Sequence, residues 1–503
     1  MKAPAGPLVA VTPLRIERRA IRAGTRDARI VVGGYGAARS VRTADELARS
    51  TMPDDPIAVL GFGGALDGAL APGELLVADE VRGPDGAMPL ASAPLIAHAL
   101  RRAGLVAKVG PLLSTPRLVR GRARAAARDT GAVAVDMESA WLVSGLAGRP
   151  LAVVRAIVDG PELSLGSPAM LTGGVRAYRA LRRAAPVLEE WAAACRPRTV
   201  LLAGPRSFCA GVDRAIEIVE RALDRHGTPV YVRRQIVHNT HVVRDLEARG
   251  AVFVEELDEV PDGGLVVLAA HGVAPEVRAD AYSRELRVID ATCPLVNKVH
   301  VEARRFARDG YRIVLVGHSD HEEVQGTLGE APHAIDVVEH PADVDRLQPP
   351  DPQRVAFLTQ TTLALDEVQE VVDRLRERFP AVVGPSADDV CYATQNRQEA
   401  VRALAGECDL LLVVGSRNSS NSNRLVEVAQ RQGCASHLVE DASEIELSWL
   451  RDASTVGITA GASAPESLVR GVVDTLASLG SVTVREREVV HESVHFALPA
   501  EVR

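Results

Sequence analysis

With 503 residues, the chain is long enough for several domains, each with a core of its own. Hydrophobic residues make up 47 % and charged residues 25 %, and the formal net charge of −8 gives no basic footprint for nucleic acid. No apolar run is long enough for a membrane span, no signal-peptide architecture opens the chain, and six cysteines are too few for a disulfide framework, so a cytoplasmic, reducing setting is expected.

Residues 1–195 read as a first α/β module. Apolar runs at Val9–Val11, Arg29–Val32 and Ile57–Leu60 predict strands. Two of them run into glycine-rich segments, Gly33–Gly36 and Gly61–Gly64, expected as turns that let backbone approach a phosphate or sugar. Ala132–Leu142 (AVAVDMESAWL) predicts a strand, an acidic turn and a helix, and Leu151–Asp159 (LAVVRAIVD) predicts a buried strand ending in an acid. An acid at a strand end is by itself an ordinary cap.

GFGGALDGALAPGELLVADEV, VDMES and VRAIVD together resemble the nucleoside phosphorylase and nucleosidase family, most of all its hopanoid-associated phosphorylases. The resemblance implies that Glu138 binds ribose hydroxyls, Met137 packs on the sugar and Asp159 works at the purine base. It points to a purine nucleoside of hopanoid metabolism. The module is short for that family, so a catalytically inactive module is the rival reading.

A helix and a short Arg-Pro-Arg link end the module, and residues 196–480 read as a second one. In Thr199–Leu223 an apolar run, a Gly-Pro break and Cys209 precede apolar positions 212, 215, 216, 219, 222 and 223, the spacing of a helix. A cysteine thus stands where a strand hands over to a helix, and Gly211 allows close approach. The pattern recurs at Cys293 and, with a weaker strand signal, at Cys391, 84 and 98 residues further on. Those spacings are too long for a zinc finger or a compact ferredoxin motif and predict a divergent threefold repeat, with units of about 199–290, 291–385 and 386–480. A second polar site follows each cysteine at 29, 28 and 28 residues: His238, His321 and Ser419. A third follows apolar runs at His271, Thr361 and Ser463, where α/β sheets place ligand sites beyond their strand ends.

Three recurring thiolates without a fourth point to an iron–sulfur cluster with one open iron; zinc held by three cysteines and water is the alternative metal. Cys195, Cys408 and Cys434 fall outside the repeat and read as structural. The other recurring residues are donors rather than fixed cations: His238, His271, His321, Thr361, Ser419, Ser420, Asn421 and Ser463. Such a set suits a phosphorylated ligand, and no GxxxxGK[ST] loop argues for ATP. Glu323, two residues beyond His321, is the candidate proton donor.

PRSFCAGVDRAI, VHN, AAHGV, DATCPLV, GHSDHEEVQGT, TQTT, CYATQNRQEAV, GSRNSSNSNRL and TAGASAP, in that order, resemble the 4-hydroxy-3-methylbut-2-enyl diphosphate reductase family, the last step of the non-mevalonate isoprenoid pathway. The resemblance implies three pseudo-threefold α/β units around a [4Fe-4S] cluster on Cys209, Cys293 and Cys391. It also implies a diphosphate held by the three histidines, Thr361, Ser419, Ser420, Asn421 and Ser463, with Glu323 delivering the proton. The products would be isopentenyl and dimethylallyl diphosphate. With no flavin or nicotinamide site evident, a separate ferredoxin or flavodoxin would supply the electrons. An aconitase-type hydro-lyase and a non-catalytic redox sensor are the rival readings of three cysteines around an open iron. Residues 481–503 alternate apolar and polar at their start and predict at most an edge strand.

Overall fold

The computed structural model describes residues 7–161 and 168–503. The chain forms two compact units: Met1–Val200 with Asp441–Val456 and Arg470–Arg485, and Leu201–Glu440 with Gly457–Val469 and Glu486–Arg503. The expected cut at 195/196 lies within five residues of the first break, while two later segments group with the first unit.

In the first unit, seven strands of an eight-stranded mixed sheet run in the order Arg29–Val32, Val9–Thr12, Ile57–Ala65, Ala134–Asp136, Ala107–Ser114, Leu75–Gly83 and Gly86–Pro89. The eighth, Leu151–Asp159, pairs in parallel with Ile57–Ala65 and antiparallel with Leu75–Gly83, closing five strands into a ring. Its core is aliphatic, built from residues such as Val59, Leu76, Leu112, Val153 and Ile157. Gly33–Gly36 forms the expected turn, with Gly34 and Gly36 at φ 74° and 89°. Gly61–Gly64 does not: it lies inside the nine-residue strand Ile57–Ala65. Its missing side chains make room for others. A Cβ on Gly61 would strike Arg155 and Glu17, and one on Gly64 would come within 2.8 Å of Asp159.

The second module carries three sheets. One has four strands, in the order Ala251–Val254, Val230–Arg233, Leu265–Leu268, Arg287–Asp290. One has three, Ile335–Val338, Arg312–Val316, Val355–Thr359. One has five, Ala435–Val439, Leu410–Val414, Thr455–Ala460, Arg198–Gly204, Val482–Glu488. The strand before Cys209 therefore belongs to the sheet of the third repeat, not of the first, whereas the helix after it, Ala210–His226, packs Ala215, Ile218, Val219 and Ala222 onto the four-stranded sheet. Cys293 likewise follows the edge strand Arg287–Asp290 and opens the helix Pro294–Arg308, whose Val299, Ala303 and Phe306 pack with the three-stranded sheet. Before Cys391 there is only an isolated parallel bridge, Ala356 to Val383, which explains the weak strand signal there. Each cysteine thus sits where the chain leaves one sheet for the core of the next.

The C-terminal segment does more than add the edge strand Val482–Glu488. Beyond it, Glu492 accepts hydrogen bonds of 3.0 Å from Asn396 and from the fully buried Arg397. Arg397 also donates to the carbonyls of Ser207, at 2.6 Å, and Phe208, so it grips the turn that carries Cys209. Val502 then packs into the core of the four-stranded sheet. Removing Glu492 leaves a buried guanidinium without its counter-charge, a loss of about 3 kcal/mol. Glu492→Ala is therefore expected to lower the denaturation midpoint of this unit clearly, and a midpoint equal to wild type would contradict the clamp.

Candidate active site

Cys209, Cys293 and Cys391 are the N-cap residues of the helices Ala210–His226, Pro294–Arg308 and Tyr392–Ala405. Three helix N-termini therefore aim their partial positive charge at three sulfurs, which favours thiolates. Without a metal the environment works the other way. Burial pushes the Cys293 thiol up to about 12 and the Cys391 thiol up to about 11, with the neighbouring cysteines adding to it. Three convergent thiols are a donor set suited to a cationic metal centre, which deprotonates its ligands on binding. Space has been kept for it: a Cβ on Gly211 would come to 2.8 Å from Cys293 Sγ and 3.8 Å from Cys209 Sγ. Among the described residues, no three His, Cys, Asp or Glu side chains gather as a single-ion site. All three thiols border one cavity, so they could hold a multi-iron cluster between them.

The same cavity, of ≈ 110 Å³, is lined by all three cysteines and by His238, His271, His321, Glu323, Thr361, Ser419, Ser420, Asn421 and Ser463. The repeat thus converges on one site. His238 and His271 stack with centroids 3.9 Å apart, and His321 stands edge-on to both at 5.5 and 6.0 Å. Burial, reinforced by the neighbouring histidines, lowers His238 to about 2; burial and then His271 lower His321 to about 4. Both rings are neutral at pH 7. Both ring nitrogens of His238, Nδ1 of His271, and both side-chain polar atoms of Asn421 are buried without a hydrogen-bond partner. Unsatisfied buried polar atoms are costly, and here they face a cavity that a polar ligand can fill.

Glu323 is buried at the start of the helix Glu322–Glu330, for which His321 is the N-cap. Its carboxylate accepts from the Thr361 backbone N–H at 2.7 Å and the Thr361 hydroxyl at 3.0 Å. Burial raises its pKa despite these two donors, so a proton is retained more readily than on an exposed glutamate. Ser419 caps the helix Ser420–Arg431 by accepting from the Ser422 N–H, and Ser463 donates to the His238 carbonyl at 3.0 Å. Sequence reasoning missed three members of this shell. Gln360 donates to Thr362 at 2.8 Å, Thr362 and Ser420 share a hydrogen bond of 3.2 Å, and Thr394 lies on the Cys391 sulfur at 3.1 Å. All three lie inside motifs already singled out, TQTT and CYATQNRQEAV.

The LytB protein family model matches residues 200–477. The chain belongs to the LytB family. A 4-hydroxy-3-methylbut-2-enyl diphosphate reductase of Mycobacterium sp. (strain KMS) is 55 % identical over 347 residues, covering 68 % of this chain and 98 % of that protein. The solved E-1-hydroxy-2-methyl-but-2-enyl-4-diphosphate reductase of Plasmodium falciparum has 38 % identity and a TM-score of 0.58, covering 61 % of this chain and 97 % of that one. Futalosine hydrolase of Helicobacter pylori strain 26695 has 17 % identity and a TM-score of 0.31, covering 36 % of this chain and 95 % of that one, a likeness that carries no weight for substrate. No helix among the described residues is long and apolar enough to cross a membrane.

Outside the LytB region, the first unit has a cavity of ≈ 310 Å³ lined by Met137, Glu138 and Asp159. Glu138 accepts from the Gly36 N–H at 3.2 Å, so the glycine turn and the acidic turn meet. Burial raises Glu138, against the pull of Arg155. Asp159 is paired with Arg124 at 2.6 Å. Glu17, which sequence reasoning passed over, also lines this cavity and accepts from Thr12, Leu14 and Phe62, each at 2.7 Å. Its signal was an acid on the buried face of its helix, beside Ala20 and Ile21.

Of the remaining cysteines, Cys408 and Cys434 face each other at 3.7 Å within another core, and Cys195 is fully buried; none lines the active-site cavity. Serine substitution of Cys209, Cys293 or Cys391 is expected to abolish iron and sulfide retention after anaerobic reconstitution, and substitution of Cys195, Cys408 or Cys434 to leave it intact. Iron and sulfide counts on the six variants decide the assignment.

Proposed function

We propose that the LytB module catalyses reductive dehydroxylation of 4-hydroxy-3-methylbut-2-enyl diphosphate to isopentenyl and dimethylallyl diphosphate, with a [4Fe-4S] cluster held by Cys209, Cys293 and Cys391. The observation that supports it best is the single cavity in which three helix-capping thiols, three histidines and a buried, Thr361-held glutamate converge. When bound, the cluster supplies Lewis acidity and passes in two electrons, delivered by a ferredoxin or flavodoxin. The chain's own residues bind, shield and protonate. The histidines, Ser419, Ser420, Asn421 and Ser463 turn their donors to the diphosphate, replacing the water it sheds on entry. The apolar walls, Val212, Val237, Leu295 and Val296, surround the hydrocarbon part and keep bulk water out. Glu323 gives its proton to the departing hydroxyl, which leaves as water. Two electrons and two protons convert the allylic alcohol to the alkene and water, the second proton ending on carbon.

Thr361 holds both oxygens of Glu323, so the acid is fixed in place before substrate arrives. Glu323→Gln is expected to keep the cluster and diphosphate affinity and to lower kcat by a factor of about 10² or more. Turnover with dithionite and a mediator, with electrons counted per product, tests this and separates a reductase from a hydro-lyase, which consumes none. Near-normal turnover in the variant would remove Glu323 from the proton-donor role.

For the first unit we propose purine nucleoside cleavage, supported by the cavity that brings Met137, Glu138 and Asp159 together. The full chain is expected to release adenine from one or more 5′-substituted adenosines, and a Glu138→Ala, Asp159→Ala double variant to lose this while keeping reductase activity. Dependence on phosphate distinguishes a phosphorylase from a hydrolase. Silence on every nucleoside would favour a catalytically inactive module.

A further inference from the structure

Glu322 has no part in the chemistry above, yet it stands beside Glu323 as the first residue of its helix and has partners of its own. Its Oε2 lies 3.5 Å from Nδ1 of His271, and its Oε1 lies 3.6 Å from Arg234. Arg234 is in turn paired with Glu256 at 3.0 Å, and Glu256 is also gripped by Arg233 at 2.7 Å. The second α/β repeat therefore reaches across to the first through one carboxylate. Arg234 sits in the left-handed region at φ 54°, a conformation that is unfavourable for a non-glycine residue and needs fixed surroundings to persist. Burial acts to raise Glu322, but His271, then Arg234 and Arg233, hold it below the usual glutamate range, so it is anionic at neutral pH.

His271 is the ring that Glu322 can reach. Its Nδ1 is buried without a hydrogen-bond partner, its face is covered by the His238 ring, and His321 stands edge-on to it. The other acid near it, Glu323, is committed to Thr361. Glu322 is placed to accept from Nδ1, and 3.5 Å is the kind of long contact that tightens when a site fills.

We propose that Glu322 is a positioning residue for diphosphate binding: its carboxylate accepts the Nδ1 hydrogen of His271, fixes the ring plane, and leaves Nε2 to donate to the ligand. The inference rests on the diphosphate reading of the site. In the complex the ring lies between two anions, Glu322 on one side and the ligand on the other; it takes up one proton from solvent as the ligand binds and, as an imidazolium, donates Nδ1–H to Glu322 and Nε2–H to the ligand. Arg234 keeps Glu322 from turning toward solvent, and Glu256 with Arg233 keeps Arg234 in place.

The test uses the reconstituted holoenzyme and inorganic pyrophosphate as probe. Glu322→Ala is expected to raise the Kd for pyrophosphate, and KM in parallel, by about tenfold, with kcat within about threefold of wild type. Glu322→Gln keeps an acceptor at the same place and is expected to lose only about threefold. In a His271→Asn background, neither Glu322 substitution should change Kd further. A Glu322→Ala enzyme with unchanged Kd, equal losses in the Gln and Ala variants, or losses that persist without His271 would each overturn the proposal. If Glu322→Ala fails to load its cluster, Glu322→Gln in the two backgrounds completes the same cycle. A wild-type holoenzyme that binds no pyrophosphate would instead sink the diphosphate reading, and this inference with it.

Discussion

Everything in the LytB module answers to one constraint: three sulfurs far apart in the chain must border one small, dry space. The fold meets it by placing each cysteine at a helix N-cap, at the point where the chain leaves one sheet for the next core. Because the crossing points of a threefold arrangement face its centre, convergence of the thiols follows from topology and needs no long loops. The helix ends contribute electrostatically as well, since three N-termini offset part of the cost of gathering thiolates away from water. Gly211 shows how little slack remains, for a single methyl group there would occupy the space between two sulfurs.

The polar half of the cavity is held in a state that is costly without a ligand. Histidine rings are packed face to face and edge to face in a site dry enough to keep them neutral, and several of their nitrogens have no partner. A folded protein tolerates such an arrangement when binding relieves it. Glu323 shows the same balance on the acidic side. Two donors from Thr361 favour its anion, burial opposes them, and burial prevails, leaving an acid that is held firmly and whose pKa is raised.

The sequence carried the cavity's inventory because the repeat places chemically similar residues at similar distances: Cys209, Cys293 and Cys391 with their following histidines, threonine and serines. Helix periodicity after each cysteine was readable for the same reason, since the buried faces are apolar. What was not legible depended on side chains meeting from distant segments. Gly61–Gly64 looks like a turn because glycine is read as a backbone signal, whereas here it clears room for Arg155, Glu17 and Asp159. The strand before Cys209 was assigned to the wrong repeat because sequence order does not say which sheet edge a strand joins. Glu17, an acid on the apolar face of its helix, and Glu322, the first residue of another, gain a role only when the structure shows what they face.

The clamp at Arg397 has a bearing on how the protein is made. The turn carrying Cys209 is completed by Arg397, nearly 190 residues later, and Arg397 is in turn neutralised by Glu492. The strand entering that turn, Arg198–Gly204, lies in its sheet between Thr455–Ala460 and Val482–Glu488. All three cysteines are therefore synthesised before the strands that flank Arg198–Gly204 and before Glu492, the parts that hold the Cys209 turn still. A nascent chain stalled before residue 455 would hold all three cysteines while lacking both strands that flank Arg198–Gly204, so the Cys209 turn would be the last of the three to be fixed.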